Sequence, residues 1–468
     1  MKELLLLSGL GIFALLAEIL NFRKFILPVV IAGLILNIGF CINDFGNNES
    51  VFAMLKLDSS ALSFTILFSF VAILWFLFAK DYFTDKSSLS DHIALVSFSM
   101  VGVFILTSYT HLVMLFLGVE ILSIPVYVLA GSDKRNIYSN EAAFKYFLLG
   151  AFASGFLLLG ITFLYGATGS FNILQLAAYS KLPSGLSEQL LMVGFALVLF
   201  AFAFKMSAVP FHFRAPDVYS GAPTVITAYM STIVKIGAIA GFYRLFLTVI
   251  SQYSEHYFKN DFYTKYLSIL LLIAILTITV GNIIAAAQTN VKRLLAYSSI
   301  GHAGFILLGI TMLTMSTTTF TWYYLFAYSL ASLASFWVLM IVSKESNSED
   351  VSAFNGLVKR NPILAVTMTI ALLSMAGIPP MAGFFAKYFI LMNVIGKGYI
   401  LIAVMAILVS LIGVYYYFKI IIAMFTGVAD NQDTITVSTF NKIMLLFISL
   451  LIIVAGIAPD FVFQFILR

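Results

Sequence analysis

Apolar runs of about 17–25 residues, the length that crosses the hydrocarbon core of a bilayer as a helix, recur through this chain from one end to the other. A backbone surrounded by lipid must satisfy its own N–H and C=O groups, so only helices and closed barrels can span. A barrel needs short segments of alternating hydrophobicity, and those are absent here. The composition points the same way: 468 residues, 61% hydrophobic and only 10% charged, with a mean hydropathy of +1.03. That is too apolar for a soluble domain of this length. The expected fold is therefore an all-α polytopic membrane protein with about 14 transmembrane helices.

Soluble-looking material is scarce. The longest polar connection is Ser343–Asn361. No phosphate-binding or dinucleotide glycine motif is present, and nothing suggests nucleic-acid binding. A single cysteine, Cys41, excludes a disulfide framework and a cysteine metal site. The N-terminal Met-Lys-Glu runs straight into an apolar segment without a small-residue cleavage site, so it reads as the first span. The stretch Thr168–Glu188, with Asn172 and Lys181, reads as a short surface helix.

Two spans are interrupted, one at Met206-Ser-Ala-Val-Pro210 and one at Met375-Ala-Gly-Ile-Pro379-Pro380. Each has Met, two small residues, an aliphatic residue and Pro, which matches Pro210 to Pro379. Proline removes a helical hydrogen bond, and the freed carbonyl needs protein or water as partner. The paired breaks divide the chain into 1–91 (helices 1–3), 92–250 (a five-helix unit, helices 4–8), 264–426 (a second five-helix unit, helices 9–13) and 442–468 (helix 14). An odd number of spans per unit makes the two units inverted repeats, and broken helices in such repeats mark a pathway at mid-membrane. An even total puts both termini on one side. The opposite side collects more lysine and arginine, among them Arg23, Lys24, Lys134, Arg135, Lys292, Arg293, Lys359 and Arg360, so both termini are expected outside, on the periplasmic side in a bacterium.

Against this apolar background four charges stand out: Glu120, Lys205, Lys235 and Lys387. Each opposes insertion by roughly 2.5–3.5 kcal/mol unless it faces protein, water or another charge. Burial lowers a lysine's proton affinity and a nearby carboxylate raises it, so such a lysine is suited to taking up and releasing a proton. Glu120 is the natural modulating partner of Lys205. The competing reading is a static charge pair that locks helices. Lys145 follows Glu141 by four positions, as an i,i+4 pair that snorkels or as a positive partner of Glu120. His302 begins a span rich in small and hydroxylated residues, including Tyr297, Ser298 and Ser299, and is read as a proton relay or as a satisfied core histidine. His212 and Asp217, just beyond the first break, suit a point where protons enter or a helix cap. Lys419 lies near the inner end of its span, placed for snorkelling more than for transfer. His92, His111, His212, His256 and His302 show no spacing suited to haem or metal, so no metal site or redox centre is expected.

The ordered motifs Leu117-Gly-Val-Glu120-Ile-Leu-Ser, Phe204-Lys205-Met-Ser-Ala-Val-Pro210-Phe-His212-Phe-Arg-Ala-Pro216-Asp217-Val-Tyr-Ser-Gly-Ala-Pro223, Val291-Lys-Arg-Leu-Leu-Ala-Tyr297-Ser-Ser-Ile-Gly-His302 and Gly377-Ile-Pro-Pro-Met-Ala-Gly383-Phe-Phe-Ala-Lys387 closely resemble the subunit N family of proton-pumping NADH-quinone oxidoreductase, respiratory complex I. Arg214 and Ser220 depart from the Trp and Glu common there. The resemblance implies that Glu120 and Lys205 form a coupling pair, Lys235 a central relay, Lys387 the second-half lysine nearest the outer exit, and Lys145 the positive residue of the sixth span. It implies a cell inner membrane location, with antiporter-like sister subunits and small membrane subunits as neighbours. It also implies that NADH, FMN, iron–sulfur clusters and quinone belong to partner subunits, with no cofactor in this chain. The alternatives are a subunit of a multi-subunit sodium/proton antiporter and a purely structural subunit.

Overall fold

The computed structural model describes residues 1–20, 22–83, 89–179, 186–251, 261–312, 316–428 and 433–466. In chain order the helices are α1 (Lys2–Ile19), α2 (Ile26–Asn43), α3 (Ser59–Phe83), α4 (Leu89–Ser108), α5 (Leu112–Ala130), α6 (Ile137–Thr168), the short α7 (Ile173–Tyr179) and α8 (Leu186–Met206). After the first break come α9 (Arg214–Gly221), α10 (Thr224–Tyr229), α11 (Lys235–Ser251), α12 (Asp261–Ala286), α13 (Val291–Thr311) and α14 (Thr317–Ser346). The rest are α15 (Leu357–Arg360), α16 (Pro362–Ala376), α17 (Ala382–Gly396), α18 (Ile400–Thr426), α19 (Thr439–Ile457) and α20 (Pro459–Ile466). One antiparallel pair, Glu49–Val51 with Leu55–Leu57, interrupts the helices.

Among the described residues, 12 helices are long and apolar enough to cross a membrane. The halves of the second broken span, Pro362–Ala376 and Ala382–Gly396, are apolar but shorter. The chain is a polytopic α-helical membrane protein. Its helix ends follow from local chemistry. Asn136, Asn290 and Asn361 accept backbone N–H groups at the starts of α6, α13 and α16, and Gly169 ends α6 in the left-handed region at φ 69°. Large apolar side chains on α6, such as Phe144 and Phe152, face outward, as lipid permits. The surface helix expected over Thr168–Glu188 is helical over Ile173–Tyr179; Lys181 lies outside the described residues, as does His256.

The chain divides into two compact units, one of residues 1–207 and 233–269, the other of residues 208–232 and 270–468. In the first, α4 and α5 approach so closely at Gly102 that a Cβ there would lie 2.3 Å from the Leu122 nitrogen. In the second, α12 and α13 meet through glycines: a Cβ on Gly281 would lie 2.5 Å from the Gly301 nitrogen, and one on Gly304 2.7 Å from the Ile278 nitrogen.

The breaks share backbone features: each contains a cis X-Pro bond, Val209-Pro210 and Pro379-Pro380. The residue after each first half-helix has positive φ, Ser207 at 61° and Gly377 at 83°. Aligning those two residues pairs Pro210 with Pro380, which corrects the match to Pro379 by one position. The sequence alignment rested on composition, whereas the left-handed residue marks where the helix stops.

Candidate functional site

In the first unit Lys205 sits in the last turn of α8. Its Nζ donates to Ser123 Oγ at 2.9 Å and to the Tyr127 hydroxyl at 3.1 Å. Ser123 and Tyr127 follow Glu120 by three and seven positions on α5, so all three share one helix face. Glu120 Oε1 is buried without a hydrogen-bond partner. An unsatisfied buried acceptor costs about 1–3 kcal/mol, more when it is charged, so this oxygen is placed to gain a donor. Pro125, inside α5, removes the N–H that would close onto the Ile121 carbonyl beside it.

Lys235 is 5% exposed and begins α11 directly after a π-helical turn, Met230–Val234. Such turns are frequent at functional positions. Two residues on, Gly237 lies against Val103 and Leu122, where a Cβ would meet side-chain carbons at 3.0 and 3.3 Å. The start of α11 is thereby held on α5 at the turn that carries Glu120. Lys145 pairs with Glu141 at 2.8 Å, with the two side chains 39% and 53% exposed, the geometry of an i,i+4 surface pair.

In the second unit Lys387 rises from α17 and turns back over the break. Its Nζ donates to the Ala376 carbonyl, the last residue of α16, at 2.8 Å and lies 5.3 Å from the centre of the Phe305 ring. A cation at a helix C-terminus offsets the partial negative charge of the freed carbonyls. His302 is 8% exposed. Its Nδ1 is 2.8 Å from the Tyr324 hydroxyl and its Nε2 3.3 Å from that of Tyr417. Tyr417 also bonds Ser298, and Ser231 bonds Ser332 at 3.0 Å. A small cavity lies beside this cluster, lined by His302, Tyr324, Tyr328, Ser374, Gly383 and Ala386 among others.

The loop residues are tied down. Asp217 pairs with Arg293 at 3.6 Å. The His212 carbonyl accepts from Ala215 N, while Phe213 holds the N-cap position of α9, so the His212 side chain does not cap that helix. Lys419 Nζ reaches the Gln288 carbonyl at 3.3 Å, just beyond the end of α12. Among the described residues no group of three or more His, Cys, Asp and Glu side chains is placed to hold a metal ion.

Several residues carry geometry that the sequence did not flag: Ser123, Tyr127, Tyr324, Tyr328 and Tyr417, together with the partners of two buried cations. Lys292 holds Glu349 at 3.2 Å and the Ala222 carbonyl at 2.8 Å. Arg244 holds Asp58 through both carboxylate oxygens. The Arg244 charge within an apolar run was an available signal; the tyrosines gave none.

The model of the transmembrane NADH:quinone oxidoreductase/Mrp antiporter family matches residues 109–413. The chain belongs to this family. One family relative, NADH-quinone oxidoreductase subunit N of Cytophaga hutchinsonii, is 43% identical over 466 residues, covering 99% of both chains. Another, bearing the same name in Flavobacterium johnsoniae, is 42% identical over 442 residues, covering 93% of each. Among solved structures, a chain of respiratory complex I from Thermus thermophilus with bound aureothin superposes with a TM-score of 0.80 at 28% identity, covering 99% of this chain and 98% of the other.

Proposed function

We propose that this chain is a proton-translocating membrane-arm subunit of NADH-quinone oxidoreductase. The observation that carries the reading is the 43% identity to a relative named subunit N over 99% of both chains. The same relatives favour it over a sodium/proton antiporter, the other half of the family description. On this reading NADH, FMN, iron–sulfur clusters and quinone belong to partner subunits, and the neighbours are antiporter-like sister subunits and small membrane subunits. The chain lies in the cell inner membrane with both termini on the periplasmic side, its helices forming two inverted five-helix repeats over 92–250 and 264–426.

The geometry supports a role for the buried charges. In the first unit Lys205 is held on α5 by two neutral hydroxyls, on the face that carries Glu120 with its unpartnered oxygen. A change arriving from a neighbouring subunit that joins or separates Glu120 and Lys205 would alter the proton affinity of Lys205. Lys235 then serves as the relay in that unit, and His302 and Lys387 serve in the second. Outward transfer against 100 mV requires about 2.3 kcal/mol per charge, which the redox reaction in the partner subunits would supply.

The test is NADH-driven proton uptake by inverted vesicles carrying the whole complex. Lys205→Ala or Glu120→Gln should abolish uptake while the complex still assembles. A wild-type ratio of protons to NADH in Lys205→Ala would refute the reading. Co-purification with flavin and iron–sulfur proteins tests the assignment to an oxidoreductase and not to an antiporter.

A further inference from the structure

The hydrogen bonds leading to His302 start from one fixed point, the Asn282 carboxamide. Asn282, on α12, donates Nδ2 to the Ile278 carbonyl at 2.8 Å, which fixes the orientation of its amide. Its Oδ1 then receives the Tyr416 hydroxyl at 3.1 Å, using the only proton that Tyr416 has. The Tyr416 oxygen is left as an acceptor toward its two hydroxyl neighbours, Tyr417 and Ser298. Once its own proton goes to that group, Tyr417 has a lone pair to offer His302 Nε2, which lies 3.3 Å away. All these groups lie in the second unit and are nearly or fully buried, Asn282 at 6% exposure being among the more open.

We propose that Asn282 and Tyr416 are positioning residues that polarise this arm, so that His302 keeps a proton on Nε2 and exchanges protons only through Nδ1. The inference rests on the proton-translocation reading above and adds a direction to it. Nδ1 accepts from Tyr324, which lines the cavity beside the second helix break. An arriving proton binds Nδ1 and gives the imidazolium, while the Tyr324 hydroxyl turns toward the cavity. Release from the same nitrogen restores the neutral ring with its proton on Nε2. The arm through Tyr417 is a blind end, because a carboxamide with both ends engaged neither takes nor passes a proton. Gly413 and Gly301 leave the room this needs: a Cβ on either would lie 3.1 Å from Asn282 Oδ1 or 2.9 Å from Asn282 Nδ2, respectively.

The titratable or charged groups of this unit on helices packed against α13 include Tyr324 and Tyr328 on α14, Lys387 on α17 and Asp217 on α9, the last paired to Arg293; the same helices also carry Tyr323, Lys344 and Glu345, Tyr388, and Arg214 and Tyr219. Tyr328 packs its ring on His302 at 4.9 Å and bonds Ser299, Ser332 and Ser231, so its hydroxyl is engaged elsewhere.

The test compares Tyr416→Phe and Asn282→Leu with wild type in inverted vesicles carrying the full complex, following the ratio of protons pumped to NADH oxidised across pH. Both variants should lower the ratio and displace its pH profile by about one unit or more, since His302 then holds its proton on either nitrogen. An unchanged ratio and profile in both overturns the proposal. A separate measurement needs no change in the arm: infrared spectra of complex containing isotope-labelled histidine, with His302→Gln subtracted, report which nitrogen of His302 is protonated. The Nε2–H form is expected, and the Nδ1–H form overturns the proposal even where the arm variants fail to assemble. Lys205→Ala in the same vesicles separates the two levels. Undiminished pumping there refutes translocation by this chain, while the infrared result still decides the tautomer.

Discussion

Gly150 on α6 leaves the space that the Tyr127 hydroxyl fills: a Cβ at Gly150 would lie 2.1 Å from that oxygen. The same hydroxyl receives Lys205 Nζ at 3.1 Å. Gly150→Ala should therefore displace Tyr127 and remove one of the neutral partners of Lys205. Overpacking of this kind costs about 1–3 kcal/mol. The expected outcome is an assembled complex with less proton uptake per NADH. Gly155→Ala on the same helix is the control, since a Cβ there meets nothing within 4 Å. Wild-type pumping and thermal stability in Gly150→Ala would show that Tyr127 does not set the state of Lys205.

Gly377 and Lys387 offer a second separable pair. Gly377 has φ +83°, and a Cβ there would lie 2.9 Å from Lys387 Cδ. Gly398 has φ +85° with nothing within 4 Å of its added Cβ. Both alanine variants carry the backbone strain of a left-handed residue, of the order of 1 kcal/mol. Only Gly377→Ala also pushes the lysine off the Ala376 carbonyl. Proton uptake should fall in Gly377→Ala and hold in Gly398→Ala, at similar thermal midpoints. Equal pumping in the two would remove Lys387 from the pathway.

Why these glycines and tyrosines escaped a reading of the sequence is a matter of contrast. Glu120, Lys205, Lys235 and Lys387 are legible because an isolated charge in an apolar run has a large insertion penalty and no bland substitute. The breaks are legible because proline cannot continue a helix. Tyr127 and Tyr417 sit in runs where aromatic residues are ordinary, and their hydroxyls matter only through partners on other helices. Gly150 shows its meaning only when the neighbouring helix is in place. The π-helical turn before Lys235 leaves no mark at all, because Met230–Val234 has the composition of any buried helix.

His111 caps α5, its Nδ1 accepting from Val113 N at 3.4 Å, and burial holds its pKa below the ordinary histidine value. The cap requires Nδ1 to be unprotonated. With the folded pKa lowered, the contribution is complete above the ordinary value of about 6.5 and is lost as pH falls below it toward the folded value. Thermal midpoints measured across pH should fall on acidification in the wild type. His111→Asn should keep the cap and flatten this dependence, because asparagine caps without titrating. His111→Ala should be less stable at neutral pH by about 1 kcal/mol. An identical pH dependence in wild type and His111→Asn would exclude the cap as its source.

Arg244 is a buried charge whose contacts suit it to holding structure. It donates to both carboxylate oxygens of Asp58 and to the carbonyls of Lys56, Thr107 and Tyr109, so all five donors of its fork are engaged. A guanidinium stays charged at any working pH, which removes it from proton exchange. Lysine has too few donors, in the wrong geometry, to replace it. Arg244→Met leaves Asp58 and three carbonyls without their partner, and breaking a buried pair from one side costs about 3–5 kcal/mol. The assembled fraction should therefore drop in Arg244→Met, and only partly recover in Arg244→Lys. The complexes that do assemble should pump the wild-type number of protons per NADH. A reduced ratio in that fraction would show that this arginine acts in translocation.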